Sequence, residues 1–331
     1  MAMNAIHGFN ARETFLGVPY VPLEDLAARK PGVAIVGAPF DWGTMFRPGA
    51  RFGPREIRRQ SNVSANPAEY YALTFKVKPL VDIDVVDSGD APVIPGYMED
   101  SLDAIRQTVQ TVAESGALPI ILGGDHTIAL PDITAIANVR GKGSFGVVHF
   151  DSHADTAPDY HGRLYSHGTP MRRLIESGAV RPERFVQLGL RGYWPDEATF
   201  DWMARQGMRS IFMHDIMRMG LDAALDEAVR IASDGTNGLF ISFDIDVVDP
   251  GDAPGTGTPE SGGMLPREAL HAIRRLALEN DLVGMEVVEV LPAEDHADVT
   301  SLLASRVILE ALGATVVRRS GRSFNMGRLH S

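Results

Sequence analysis

Asp151, His153 and Asp155 stand at alternate positions directly after the apolar run 145–150. While a chain stays extended, alternate side chains share one side, so two carboxylates and an imidazole converge where a strand would end. Burying such groups is costly without a counter-charge, and a hard or borderline divalent cation is the partner this donor set invites. Two further runs end in the same manner. Residues 119–122 lead into Gly123-Gly124-Asp125-His126, where paired glycines permit close backbone approach. Residues 238–243 lead into Asp244-Ile245-Asp246. His126, Asp151, His153, Asp155, Asp244 and Asp246 are then too many ligands for one catalytic ion that must also hold water. They suit two ions about 3.5 Å apart that share carboxylates. The chain has no cysteine, so sulfur ligands are excluded and Mn²⁺ is the leading choice, with Ni²⁺, Co²⁺ and Zn²⁺ open. Two divalent ions cancel the four carboxylates, and a hydroxide nucleophile leaves the site anionic, which favours a cationic substrate over a phosphate ester.

The elements that must carry these residues alternate between strand and helix. Strands are expected at 33–36, 81–86, 119–122, 145–150, 185–189, 210–213, 238–243 and 282–291. Helices are expected at 23–29, 55–60, 101–115, 171–177, 221–233, 266–279 and 299–312, the last stopping at Gly313. Alternation of this kind predicts an α/β fold with a mostly parallel sheet covered on both faces. Loops at the carboxyl ends of such strands are where ligands bind. The loop at 37–54 is dense in glycine and proline. The polar stretch 156–170 carries His167, which reads either as an acid/base group or as a plain loop residue. Asp82, Asp84 and Asp87 also cluster, but no histidine lies near them, so that run reads as an edge strand or a structural carboxylate. Glu286 and Glu289 lie inside an apolar run and need partners.

At 331 residues and 44% hydrophobic content, one large domain is expected, since no low-complexity tract or linker marks a seam. The expected division is an arm at 1–30, a single domain at 31–316 and a polar tail at 317–331. A net charge of −12 argues against a nucleic-acid surface. No run approaches the roughly 18–20 apolar residues of a membrane span, and a soluble, cytoplasmic protein is expected.

Five ordered segments resemble those of the ureohydrolases, the family of arginases, agmatinases and guanidino-acid hydrolases: Gly123–His126, Phe150–Asp155, Ser166–Thr169, Ser242–Pro250 and Gly284–Glu289. Segments 47–54 and 253–259 look most like the agmatinase side. The resemblance implies a three-layer α/β/α fold with a parallel sheet of about eight strands, and a trimer or hexamer, possibly with a homologous subunit. It implies one ion on His126, Asp151, Asp155 and Asp244 and another on Asp151, His153, Asp244 and Asp246. Asp155 would orient the nucleophile, His167 would pass a proton to the departing amine, and Glu289 would hold the guanidinium. Met45, Phe46, Tyr160, His161 and Arg163 are expected to contact the rest of the substrate. Apolar Met45 and Phe46 make a short guanidino acid, guanidine itself or an alkylated biguanide alternatives to agmatine. A non-catalytic subunit of a mixed oligomer, and a metal-dependent deacylase of lysine-like amides, are the readings from other classes.

Overall fold

A computed structural model describes residues 13–62, 70–322 and 324. Eight strands pair in parallel: β1 (Val33–Gly37), β2 (Val85–Asp90), β3 (Leu118–Leu122), β4 (Gly146–Phe150), β5 (Phe185–Leu190), β6 (Arg209–Phe212), β7 (Leu239–Asp244) and β8 (Leu282–Val288). Their order across the sheet is β2-β1-β3-β8-β7-β4-β5-β6. The central strands β3, β4, β7 and β8 are buried along their whole length, as a sheet covered on both faces requires. Helices Gly53–Ser61, Leu221–Ala232, Pro266–Glu279 and Val299–Arg319 pack on one face. Helices Met98–Glu114, Ala129–Arg140 and Pro170–Glu176 pack on the other.

Register decides what meets at the carboxyl edge. Phe150 pairs with Phe243, so Asp151 and Asp244 emerge side by side from β4 and β7. Asp244 pairs in turn with Val288, one residue before Glu289. Leu122 pairs with Val287, which sets the Gly123–His126 turn beside Glu289. Four neighbouring strands therefore deliver their polar ends to one place, although β3 and β4 are separated by two strands that come last in the chain.

Several elements differ from expectation. The run 81–86 is not a strand: Pro79 opens a helical turn, Pro79–Asp82, and β2 starts at Val85. Asp87 is buried in that edge strand and pairs with Arg58 at 2.8 Å, a structural carboxylate. The last helix runs through Gly313 to Arg319. A Cβ on Gly313 would stand 2.9 Å from the Phe75 ring, so this glycine permits close packing instead of ending the helix. That helix is long and apolar enough to cross a bilayer but is mostly buried within the fold. β8 stops at Val288, because Glu289 turns to φ 62°. Helices Ala129–Arg140, Glu197–Gln206 and Met213–Met219 were not foreseen. The first is buried almost throughout and so lacks a polar face to reveal its period. Of the arm, residues 1–12 lie outside the described residues, while Phe15, Leu16 and Leu26 are fully buried in the core. The tail continues that final helix as far as Arg319, and 323 and 325–331 lie outside the description.

Candidate metal centre and active site

The His126 turn is built by backbone contact. A Cβ on Gly124 would fall 1.8 Å from the carbonyl oxygen of Phe40, so only glycine lets the 37–52 loop close over the end of β3. Asp125 then ties the two together, accepting from the backbone N–H of Thr127 at 2.9 Å and of Gly43 at 2.7 Å. Burial and the nearby Glu289 charge push the Asp125 carboxyl up to about 6.

Nε2 of His126 lies 2.8 Å from the Ser242 hydroxyl. This orients Nδ1 toward Asp151 Oδ2 at 3.0 Å, Asp155 Oδ2 at 3.0 Å and Asp244 Oδ2 at 3.1 Å. A second group lies beside it. His153 Nδ1 is 3.0 Å from Asp246 Oδ2 and 3.5 Å from Asp151 Oδ1, so Asp151 presents one oxygen to each group. The other carboxylate oxygens are held by the chain itself. Asp246 N donates to Asp244 Oδ1 at 2.8 Å, and the Ser152 N–H and hydroxyl donate to Asp246 Oδ1 at 3.0 and 2.8 Å. What remains unpartnered is informative: His126 Nδ1 and Asp246 Oδ2 are buried with no hydrogen bond. Imidazole and carboxylate atoms aimed at common points and refused by protein donors are what divalent cations require, so the residues fit two ions.

The titration pattern shows the same crowding. Burial, then the charges of Asp246 and Asp151, hold Asp244 well above the usual carboxylate range. Burial would raise Asp151 as well, but His149, His126 and His153 outweigh it and hold Asp151 well below that range. Burial disfavours charge on His126 and His153, yet the surrounding carboxylates raise both well above the ordinary imidazole value.

Two residues beside this cluster were missed in the sequence. His149, inside β4, is fully buried with Nε2 2.8 Å from Asp151 Oδ2. Gln187 Nε2 donates to Ala154 O at 2.7 Å and to His149 Nδ1 at 3.0 Å. With Nδ1 accepting, the proton sits on Nε2, and His149 is a donor to Asp151 instead of an ion ligand. A histidine within an apolar run was the available signal. Trp194, in the loop after β5, lines the cavity over the cluster; only its place beyond a strand's carboxyl end could have marked it.

Glu289 and His167 face the same cavity. Oε1 of Glu289 accepts from His126 N at 2.8 Å and bonds His167 Nδ1 at 2.9 Å, while Oε2 is buried without a partner. His167 Nε2 accepts from Met45 N–H at 3.1 Å. Burial works against a charge on this ring, but Glu289 foremost, then Asp125 and Asp155, raise its pKa to about 9.

Of the residues expected to touch substrate, Met45 and Glu289 line the cavity. Phe46 is 64% exposed and stacks under Arg47. Tyr160 and Arg163 close a tight exposed turn by paired backbone bonds of 2.8 and 2.9 Å, with His161 at its tip. None of Phe46, Tyr160, His161 and Arg163 lines the cavity.

Residues 31–313 match the Arginase family. A guanidinopropionase of Pseudomonas aeruginosa is 42% identical over 303 residues, 90% of this chain and 90% of that protein. The mitochondrial agmatinase of Gallus gallus is 39% identical over 281 residues, 84% of this chain and 79% of the relative. The solved structure of proclavaminate amidinohydrolase from Streptomyces clavuligerus is 33% identical with a TM-score of 0.83, covering 93% of this chain and 98% of that one.

Proposed function

Because the chain belongs to the arginase family of hydrolases, we propose that it cleaves a C–N bond of a guanidino compound at two divalent ions, releasing urea and an amine. The observation that carries this is Glu289 Oε2, a buried and unpartnered carboxylate oxygen in the wall of the cavity that also reaches Asp155, His153 and Asp244. A guanidinium supplies the N–H donors and the positive charge that this oxygen lacks. The relatives' names differ in the group attached to the guanidine, so family membership leaves that group open.

When bound, the two ions supply Lewis acidity, which brings the pKa of water near neutrality. The chain's own residues do the rest. Glu289 holds the guanidinium nitrogens through Oε2 while its Oε1 stays anchored on His126 N and His167. Asp155, in the cavity wall, would orient the attacking water toward the guanidinium carbon. His167 carries a proton: neutral, it accepts from Met45 N–H at Nε2, and protonated, its ring turns Nε2–H away from that N–H to donate to the departing nitrogen. Mn²⁺ is proposed first, on the oxygen and nitrogen donor set, and Ni²⁺ second.

The test is release of urea and amine in equal amounts from a panel of guanidines, by protein stripped of metal and reloaded separately with Mn²⁺ and Ni²⁺. Full occupancy of two ions per chain with no product from any guanidine would refute the proposal. One ion per chain, with turnover of an acylated lysine, would favour the deacylase reading instead.

A further inference from the structure

Resting on the amidinohydrolase reading, we infer that the site selects guanidines whose single N-substituent is small, apolar and uncharged, held in a collar of Met45, Trp194 and Gly168. The cavity over the carboxylate cluster is about 180 Å³, below the roughly 300–1,000 Å³ of pockets for drug-sized ligands. A Cβ on Gly168 would stand 3.0 Å from Trp194 Cη2 and 3.2 Å from the terminal methyl of Met45. The three therefore meet at one side of the cavity. Trp194 meets the His153 ring edge-on at 6.1 Å between centroids. Met45 N–H donates to His167, so a group seated in the collar lies beside the proton carrier, and the substituted nitrogen is the one that leaves.

The lining excludes charge of either sign on that group. Among the described residues no lysine or arginine lines the cavity. Arg47 faces Glu294 at 3.6 Å, and Arg163 sits on the exposed turn. A carboxylate tail would lose its water in a lining that offers no lysine or arginine to receive it. An ammonium tail finds only the carboxylates already engaged by the guanidinium and the ions, and its methylenes must pass the collar to reach water. A methyl or ethyl group fills the collar and loses nothing. For N-ethylguanidinium, water adds to the guanidinium carbon and the bond to the substituted nitrogen breaks. That nitrogen departs with a proton from His167, giving urea and ethylammonium.

The experiment compares guanidine, N-ethylguanidine, agmatine and 3-guanidinopropionate with the metal-loaded full chain. Product release gives kcat/KM, and calorimetry on the slow His167→Asn variant gives binding independently of turnover. N-ethylguanidine is expected to exceed both charged-tail compounds at least tenfold in kcat/KM, with the same order in binding. Gly168→Ala should lower kcat/KM for N-ethylguanidine at least tenfold relative to guanidine. Met45→Lys should raise 3-guanidinopropionate over N-ethylguanidine at least tenfold relative to the parent chain. A tenfold preference for either charged tail, or equal loss of guanidine and N-ethylguanidine in Gly168→Ala, overturns the collar and leaves the amidinohydrolase reading standing. No urea from any of the four, with both ions bound, overturns that reading and this inference together.

Discussion

His149 and His167 show how a neighbour decides what an imidazole does. The Gln187 amide is fixed at both ends, donating to Ala154 O and accepting from the Ser210 hydroxyl at 3.1 Å. It therefore presents N–H to His149 Nδ1 and leaves His149 to donate to Asp151. Replacing His149 by Phe should weaken metal binding about 10–100-fold, the usual effect of removing a partner of a ligating carboxylate. Metal titration by calorimetry checks this, with circular dichroism expected to be unchanged. His167→Asn should lower kcat by about 10²–10⁴, as loss of an acid/base group does, while metal content is retained; single-turnover kinetics on metal-loaded protein is the measurement. The same ring makes a pH prediction for metal-free protein. Its pKa rises from 6.5 to about 9 on folding. Its contribution to stability is therefore complete below about 6.5 and lost as pH rises through about 9. Thermal midpoints of the parent chain should fall over that interval more steeply than those of His167→Asn; parallel profiles would contradict the assignment.

The elements around the site are held by buried ion pairs and close backbone contacts, with little contribution from exposed charge. Arg58, in helix Gly53–Ser61, bonds Asp87 through Nε at 2.8 Å and Nη2 at 3.0 Å, and Phe15 N donates to the same carboxylate at 2.9 Å. Edge strand, helix and arm are thus locked at one carboxylate. Arg58→Leu leaves Asp87 buried without its cation and should cost about 3–5 kcal/mol. Equilibrium unfolding by urea measures it, with metal stoichiometry expected to remain at two per chain. Arg191, just beyond β5, donates to Asp246 O at 2.7 Å and Glu260 O at 2.6 Å. It pins the loop that carries a ligand to the loop that closes the cavity. On the other side of His126, Glu286 of β8 packs against Asp132 of helix Ala129–Arg140. Burial, then the Glu286 charge, holds Asp132 well above the carboxylate range.

For the molecule as a whole, the carboxylate cluster opposes folding until cations neutralise it. Four aspartates and Glu289 are gathered in one buried place, and ions that bind only the folded chain stabilise it by mass action. Chelation should lower the melting temperature, and added Mn²⁺ at 100 times its Kd should restore about 2.7 kcal/mol. Scanning calorimetry across a metal titration tests this; a melting temperature indifferent to metal would contradict the ion-stabilised centre.

The donor types, their placement after apolar runs and the α/β alternation were all legible in the sequence, because each rests on local periodicity and on the cost of burying charge. Asp244 and Asp246 behind residues 238–243, or Asp151 to Asp155 behind 145–150, need no tertiary knowledge to stand out. Only the folded sheet could decide that β8 and β7 lie between β3 and β4, which brings Glu289 against His126 across 163 residues of chain. Only packing could add Trp194 to the cavity wall and leave Tyr160 and Arg163 on an outer turn. Likewise, the burial that hides helix Ala129–Arg140 also erases its sequence period. Local pattern encodes which groups must meet a cation; strand order and loop closure, summed over many weak long-range contacts, decide what substituent can reach them.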